Sequence, residues 1–161
     1  MGSGKTSTGK KLAHLLHFDF FDTDAEIERA TGKSVLQIFE TEGESFFREK
    51  EQAVIAELAE KTNVVVSAGG GSPCFFDNMQ RMNNAGLTIY LKANPKMLKQ
   101  RVIKRKSQRP LLKNTPDDQL EAHIAHLLRQ REPYYQKCQI TVEAFNSTAK
   151  KLLEVITNIK Q

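Results

Sequence analysis

Residues 2–6 read GSGKT, and this stretch decides the fold that the sequence predicts. Gly4, Lys5 and Thr6 match the closing half of the phosphate-loop pattern G-x-x-x-x-G-K-[ST], in which backbone N–H groups surround phosphate oxygens at the start of a helix. In that arrangement Lys5 neutralises the β- and γ-phosphates, and the Thr6 hydroxyl holds Mg²⁺. Half the pattern is a weak signal by itself, because a Gly/Ser-rich leader unrelated to function reads the same way.

The composition is that of one globular domain. The chain has 161 residues, of which 39% are hydrophobic and 27% charged. A net charge of +5 favours anionic partners. Basic residues are spread along the chain without an aromatic ladder that would stack bases, which argues against a nucleic-acid partner. Two cysteines, no long apolar run and no signal peptide indicate a cytoplasmic protein without a membrane partner, and we expect a monomer.

Predicted strands and helices alternate along the chain, which indicates an α/β fold with a parallel sheet covered by helices on both faces. In such sheets ligands bind at the carboxyl ends of the strands. The uninterrupted valines of the second strand predict a strand buried on both sides. The strands are predicted at residues 18–21, 64–67, 87–91 and 140–143. The helices are predicted at residues 5–16, 24–32, 34–60 with a break near Gly43, 77–85, from Pro95 onward, 117–136 and 147–159.

Two carboxylates follow the first predicted strand. Asp22 and Asp24 are separated by one residue, so in an extended chain their side chains share one face of the sheet. Beside a triphosphate, one carboxylate can orient the hydration shell of the metal while the other accepts a proton from an attacking hydroxyl. The alternative is that Asp24 or Thr23 serves as the N-cap of the next helix, and one residue can do both.

Arg48 lies in the stretch FFREKE, residues 46–51. An arginine beside aromatic rings suits a planar carboxylate, because its fork donates two parallel hydrogen bonds. The alternative is an exposed arginine that forms ion pairs or hydrogen bonds at helical spacing, with Glu44, Glu51 or Gln52 as its partner.

Three glycines follow the second predicted strand in SAGGGSP, residues 67–73. Gly69, Gly70 and Gly71 leave backbone amides bare, which lets a polyhydroxylated ligand approach closely. Two later arginines complete the candidate set. Arg109 lies in a basic, turn-prone stretch at about 106–117, which is expected to be a mobile excursion rather than core and can close as a lid over ATP. Arg131 lies late on a predicted helix.

Taken together, GSGKT, DTDAEIE, FRxxE, GGG, RPLL and R-x-P-x-Y, in this order and at these intervals, resemble the shikimate kinases over essentially the whole chain. The resemblance implies a P-loop NTPase fold with a central parallel sheet, flanking helices and a mobile lid. It implies one domain over residues 1–161, with the lid at about 106–117 and substrate-binding helices at about 24–60. It also implies an ATP-dependent kinase of aromatic amino-acid and chorismate biosynthesis, which converts shikimate to shikimate 3-phosphate by phosphorylating the 3-hydroxyl.

The resemblance also assigns roles to individual residues. The ATP-binding set is Gly2, Ser3, Gly4, Lys5, Thr6, Ser7, Arg101 and Arg109. The Mg²⁺ set is Thr6 and Asp22. The shikimate-binding set is Asp24, Arg48, Gly70, Gly71 and Arg131, with Phe39 and Phe47 as walls of the pocket. The catalytic set is Lys5, Asp24 as the base that accepts the hydroxyl proton, and Arg109 on the lid.

This sequence departs from the family at its beginning, since the family has a strand and a first loop glycine ahead of the position that Met1 occupies. We therefore expect that this first strand is missing from the chain as given and that Met1 is not the native start. A central strand buries several apolar side chains at about 1.5 to 3 kcal/mol each, so without it the chain as given is expected to be fragile, inactive or incompletely described.

Three other functions compete with this interpretation. A kinase for gluconate or a nucleotide shares the phosphate loop, but the aspartate pair, Arg48, the glycines and Arg131 favour shikimate. A non-catalytic binding domain is the competitor from another class, and the intact Lys5 and Arg109 argue against it. A basic nucleic-acid module is a distant third.

Overall fold

Four short strands and eight α-helices alternate in the computed structural model, which describes residues 2–159. Met1, to which the expectation about the native start refers, lies outside the described residues. The strands are β1 (Asp19–Asp22), β2 (Val64–Ser67), β3 (Ile89–Lys92) and β4 (Ile140–Glu143). The helices are α1 (Lys5–Leu16), α2 (Thr23–Thr31), α3 (Val35–Thr41), α4 (Gly43–Ala59), α5 (Asn78–Ala85), α6 (Pro95–Val102), α7 (Leu120–Tyr135) and α8 (Ala149–Ile159). Short 3₁₀ segments lie at Ser72–Cys74 and Ile103–Gln108.

The strands pair in parallel, as the alternation of elements predicts. Strand β1 pairs with β2, and β3 pairs with β4. Among residues 2–159, no strand joins these two pairs through hydrogen bonds. In the first pair Asp22 lies opposite Ser67, so the chain leaves both strands at the same edge. This edge carries the polar residues that the sequence singles out.

Helices cover both faces of the β3–β4 pair. Ile89 and Leu91 pack against the cluster that α1 and α8 build around Leu12 and Leu152. Tyr90 points to the opposite face, because neighbouring side chains of a strand alternate, and there its ring contacts Tyr135 of α7. The predicted helical layers are therefore confirmed for this half of the fold.

Strands β2 and β3 differ from their predictions. The prediction that β2 is buried on both faces is wrong, because Val66 remains 39% exposed while its neighbour Val65 packs towards α1 and α8. Strand β3 begins at Ile89 rather than at Leu87, which follows the end of α5 and is 41% exposed. Apolar character alone does not report which face another element covers.

The basic stretch at about 106–117 is partly core, so the expectation that it lies outside the core is wrong. Leu112 is 1% exposed and packs with Leu98 and Val102 of α6 and with Leu120 and Ile124 of α7. The two leucines of RPLL explain this, because an apolar side chain between two helices gains by leaving water. The helix predicted from residue 117 begins only at Leu120.

Two helix starts confirm the sequence prediction in detail. Ser34 and Gln37 form the expected capping box at the start of α3, with the Ser34 side chain accepting from the Gln37 N–H and the Gln37 side chain accepting from the Ser34 N–H. Asn94 caps α6 by accepting from the Met97 N–H at 2.8 Å. Within residues 2–159, no helix combines the length and the apolar character that a membrane span requires.

Candidate active site

An open cavity of about 520 Å³ lies at the carboxyl edge of the β1–β2 pair. Helices α2 to α4, the glycine loop after β2, helix α7 and the segment after α6 surround it. Nine of the sequence-predicted site residues line this cavity: Lys5, Asp24, Phe39, Phe47, Arg48, Gly70, Gly71, Arg109 and Arg131. The other predicted residues lie outside its lining, in or near the phosphate loop and at the end of β1: Gly2, Ser3, Gly4, Thr6, Ser7, Asp22 and Arg101.

The phosphate loop adopts a conformation that needs glycine. Gly2 and Gly4 have φ values of 67° and 93°, in the left-handed region that residues with a Cβ rarely adopt. A Cβ on Gly2 would also lie 2.7 Å from Cγ1 of Val102. Arg101 donates from Nη1 to the carbonyls of Gly2 and Ser3 at 3.3 and 3.0 Å, so its side chain supports the loop from the carbonyl side.

Thr6 and Asp22 bring two oxygen ligands together. The Thr6 hydroxyl donates to Asp22 Oδ2 at 2.8 Å and lies 3.3 Å from the Ser67 hydroxyl. A hydroxyl and a carboxylate side by side suit Mg²⁺, which takes few protein oxygens and completes its shell with phosphate oxygens and water. These residues therefore fit the predicted metal.

Asp22 also starts helix α2. Its backbone is extended, and its Oδ1 accepts from the Asp24 N–H at 3.1 Å, so Asp22 is the N-cap. The prediction that Asp24 or Thr23 caps this helix is wrong, because α2 already begins at Thr23, directly after the extended Asp22. The carboxylate of Asp24 is thereby left available to the cavity.

Asp24 combines burial with a nearby positive charge. Burial raises the pKa of its carboxyl above the ordinary value, while the Lys5 ammonium lowers it and the Asp22 carboxylate adds to the rise. Both Lys5 and Asp24 line the cavity. A carboxylate held in this way accepts a proton more readily than an exposed aspartate does.

Arg48 is buried as well as paired. It is 5% exposed, and its Nη1 donates to Glu51 Oε2 at 2.7 Å, while Nε and Nη2 donate to Glu44 Oε1. Its guanidinium lies 4.2 Å from the ring centroid of Phe75 and 5.1 Å from that of Phe47. The sequence left open a carboxylate-binding arginine or an exposed paired one; the structure shows the predicted pairing, but in a buried setting at the wall of the cavity.

The glycine loop has no room for side chains at two of its three positions. A Cβ on Gly69 would lie 2.7 Å from Glu51 Oε1 and 3.1 Å from Asp24 Oδ1. A Cβ on Gly71 would lie 2.6 Å from Arg48 Nη2. The loop is tied to α2 as well, since the Gly69 N–H donates to the buried Thr23 hydroxyl at 2.9 Å. These glycines therefore let charged side chains pack directly on the backbone.

The segment after α6 closes one side of the cavity. Burial lowers the pKa of Arg109, the charge of Arg105 lowers it further, and the Asp24 carboxylate opposes both. Lys113 forms an ion pair with Glu40 of α3 at 2.5 Å, which joins this segment to the opposite wall. Lys106 donates to the Thr115 carbonyl at 2.7 Å and bridges the base of the segment.

Sequence reasoning missed several residues of this site. Glu51 is completely buried between Arg48 and the Ser72 hydroxyl, which donates to Glu51 Oε1, yet it was named only as a possible surface partner. Its spacing of three residues from Arg48 was the available signal. Thr23, Ser72 and Arg105 carried no signal of their own, because their positions depend on contacts between distant parts of the chain.

The chain matches known proteins over most of its length. A model of the shikimate kinase family matches residues 1–160 of this chain. The chain belongs to the shikimate kinase family. Its members are ATP-dependent kinases that phosphorylate an alcohol group.

Curated relatives carry the same family name. The shikimate kinase of Parabacteroides distasonis is 46% identical over 144 residues, which span 89% of this chain and 83% of the relative. The shikimate kinase of Bacteroides fragilis is 45% identical over 137 residues, which span 85% of this chain and 76% of the relative.

Solved shikimate kinases share the fold. The Acinetobacter baumannii enzyme, solved in complex with shikimate, superposes with a TM-score of 0.92 at 36% identity and covers 99% of this chain and 90% of its own. The Bacteroides thetaiotaomicron enzyme gives a TM-score of 0.90 at 39% identity, over 98% of this chain and 94% of its own. The predicted α/β fold of a P-loop kinase is therefore confirmed.

Proposed function

We propose that this chain transfers the γ-phosphoryl group of ATP to the 3-hydroxyl of shikimate, giving shikimate 3-phosphate and ADP. The observation that carries the proposal is the convergence of Arg48, Arg131, Asp24 and Lys5 on one cavity. Shikimate offers one carboxylate for the guanidinium groups and hydroxyls for the carboxylate. The related Acinetobacter baumannii enzyme was solved with shikimate bound.

The acceptor half of the site is built by α2 to α4 and α7. The Arg48 guanidinium already donates hydrogen bonds to Glu44 and Glu51, so its orientation is fixed before substrate binds. Arg131 approaches from α7, and the rings of Phe39 and Phe47, with centroids 4.9 Å apart, form an apolar wall. This half binds and orients the acceptor.

Asp24 is the base in this proposal. It accepts the proton of the acceptor hydroxyl as the oxygen forms its bond to the γ-phosphorus. The bond from that phosphorus to the β–γ bridging oxygen breaks, and ADP leaves with the electron pair. The raised pKa of Asp24 suits a group that must take up a proton during the reaction.

The donor half is the phosphate loop and the segment after α6. We assign Gly2, Ser3, Gly4, Lys5, Thr6 and Ser7 to the ATP phosphates, and Arg109 to the transferring group. Arg101 stays on the ATP side through its contact with the loop carbonyls. Thr6 and Asp22 would hold Mg²⁺, which screens the phosphate charge when bound.

Three further properties remain predictions from the sequence. We propose one domain over residues 1–161, with a lid at about 106–117 and substrate-binding helices at about 24–60. We propose a monomer in the cytoplasm. Cys74 and Cys138 are both free, as expected in a reducing compartment.

The decisive experiment measures ADP release from Mg²⁺-ATP by the full chain, with shikimate, gluconate or a nucleoside monophosphate as the acceptor. We expect turnover with shikimate alone. The methyl ester of shikimate is the matched control, because it keeps the hydroxyls and lacks the negative charge that Arg48 and Arg131 bind. An ester that reacts as well as the acid, or turnover with another acceptor only, would contradict the proposal. A folded protein that binds ATP and shikimate without ADP release would favour the non-catalytic alternative.

A further inference from the structure

Tyr135 connects helix α7 to the glycine loop. Its hydroxyl donates a hydrogen bond to the Gly70 carbonyl at 2.5 Å, and its side chain is largely buried, with 8% of the residue exposed. Gly70 lines the cavity, as does Arg131, which lies one helical turn before Tyr135. Residues four apart share a helix face, so one surface of α7 carries both the cavity arginine and the hydroxyl that binds the loop.

The hydrogen bond restrains the central peptide of a turn, whose ends are joined by the Ser72 N–H donating to the Gly69 carbonyl at 3.2 Å. The Gly70–Gly71 peptide is planar and trans, so its carbonyl and the Gly71 N–H point in opposite directions. Neither glycine has a side chain that would limit rotation of this peptide. A bond to the carbonyl therefore sets the direction of the N–H as well.

The Tyr135 ring is itself held from the sheet. It packs on Tyr90 of β3 with ring centroids 4.8 Å apart and an interplanar angle of 39°. The Tyr90 hydroxyl donates to Glu132 Oε2 at 2.9 Å, and Glu132 Oε1 lies 3.8 Å from the Lys92 ammonium. The Tyr135 ring is thus held against β3 by the stacking of the two rings, whereas the Tyr90 hydroxyl bonds to Glu132 and not to the glycine loop.

The hydroxyl remains a donor at neutral pH. Burial raises the pKa of Tyr135, and the nearby Arg131 guanidinium opposes this rise. Since tyrosine ordinarily titrates near 10, the hydroxyl keeps its proton throughout the working range.

We propose that Tyr135 is a positioning residue for the acceptor substrate: by holding the Gly70 carbonyl, it sets the orientation of the glycine loop relative to Arg131. It acts through the backbone of Gly70 and Gly71 rather than by touching the reacting atoms. The inference rests on the proposed function for its substrate and on the described contacts for its geometry.

The test is Tyr135→Phe, which removes the hydroxyl and keeps the ring. Tyr90→Phe is the matched control, because it removes a neighbouring hydroxyl of the same stacked pair that bonds to Glu132 instead of the loop. We expect Tyr135→Phe to raise the KM for shikimate by about threefold to tenfold, the usual effect of one lost hydrogen bond. The KM for ATP should change by less than about twofold, and Tyr90→Phe should leave both constants unchanged. Melting curves for both variants separate loss of stability from loss of positioning.

A second measurement does not depend on the substrate. Amide ¹H–¹⁵N spectra of the unliganded protein should show shifts and faster exchange at Gly70 and Gly71 in Tyr135→Phe, and none there in Tyr90→Phe. Equal effects of the two variants on the amides and on the KM for shikimate would overturn the inference, as would an unchanged KM in Tyr135→Phe. If the wild-type protein does not turn over shikimate, the proposed function is wrong. The amide spectra still test whether the Tyr135 hydroxyl holds the glycine loop.

Discussion

The guanidinium of Arg48 lies directly on the backbone of Gly71, at a distance that leaves no space for a side chain. A Cβ on Gly71 would lie 2.6 Å from Nη2, 2.7 Å from Nη1 and 2.8 Å from Cζ. The arginine cannot yield easily, because Glu51 and Glu44 hold its nitrogens and Phe75 covers its face. Gly71 is therefore one of the residues that surround and hold the Arg48 guanidinium.

Gly71→Ala should displace Arg48 and weaken acceptor binding. We expect the KM for shikimate to rise by about tenfold or more and the free energy of unfolding to fall by about 1 to 3 kcal/mol, as for other overpacked sites. Gly86→Ala is the control, since Gly86 has an extended backbone and no atom within 4 Å of an added Cβ. Steady-state kinetics and urea unfolding check both variants; equal behaviour of the two would show that the contact is unimportant.

Glu51 and Glu44 bind the same arginine but should differ in their effect on stability. Glu51 is completely buried, whereas the Glu44 side chain is 44% exposed. Glu51→Ala leaves Arg48 and the Ser72 hydroxyl without a buried partner, so we expect a loss of about 3 to 5 kcal/mol in the free energy of unfolding. Glu44→Ala should cost about 0 to 1 kcal/mol. Chemical unfolding of both variants gives the comparison, and similar losses would contradict it.

Asp24→Asn should abolish turnover and stabilise the fold. The folded-state pKa of Asp24 is raised, so the native protein binds more protons than the unfolded chain between the two pKa values. The contribution of this group to stability is therefore present at low pH and is lost as the pH rises through the folded pKa. A neutral amide escapes that loss, and at pH 7 we expect the melting temperature to rise on the order of 2 °C.

The pH dependence of the melting temperature provides the control for this prediction. The difference between Asp24→Asn and the wild type should shrink as the pH is lowered, because the aspartate then becomes neutral as well. A variant that is less stable at every pH, or that retains turnover, would be incompatible with the assigned role.

The ion pair between Lys113 and Glu40 should restrain the proposed lid. Lys113→Met and Glu40→Gln each remove one charge, and we expect either to raise the KM for ATP by about twofold to fivefold with a stability change below about 1 kcal/mol. The effect should fade at high salt, because this pair is partly exposed. A double-mutant cycle measures the coupling; additive effects of the two substitutions would show that the pair does not act as a unit.

Local signals predicted most of the fold. The capping box at Ser34 and Gln37 and the cap at Asn94 depend on residues three apart, so the sequence shows them directly. The cap of α2 was assigned wrongly, because Asp22, Thr23 and Asp24 are all good capping residues and the length of β1 decides among them. Leu112 was missed as a core residue, since its burial depends on how α6 and α7 meet.

The site residues also divide into those with a local sequence signal and those whose positions depend on distant parts of the chain. Lys5, Asp24, Arg48 and Arg131 were predicted from motifs, and all line one cavity. The burial of Glu51 was not predicted, because it depends on a serine 21 residues later in the chain. Motifs in the sequence show which functional side chains are present. The contacts that hold those side chains in place depend on which distant residues the fold brings together.

The burial of Leu112 limits where the segment between α6 and α7 can gain or lose residues. Leu112 anchors the segment after α6 at its midpoint, so residues on the two sides of it are under different constraints. Before the anchor, Arg109 and its neighbours line the cavity, and an inserted or deleted residue would shift them out of register with the site. After it, Asn114 and residues 116–119 are exposed and lead into α7. Natural and engineered insertions should therefore be accepted at 114–119 and rejected at 105–112.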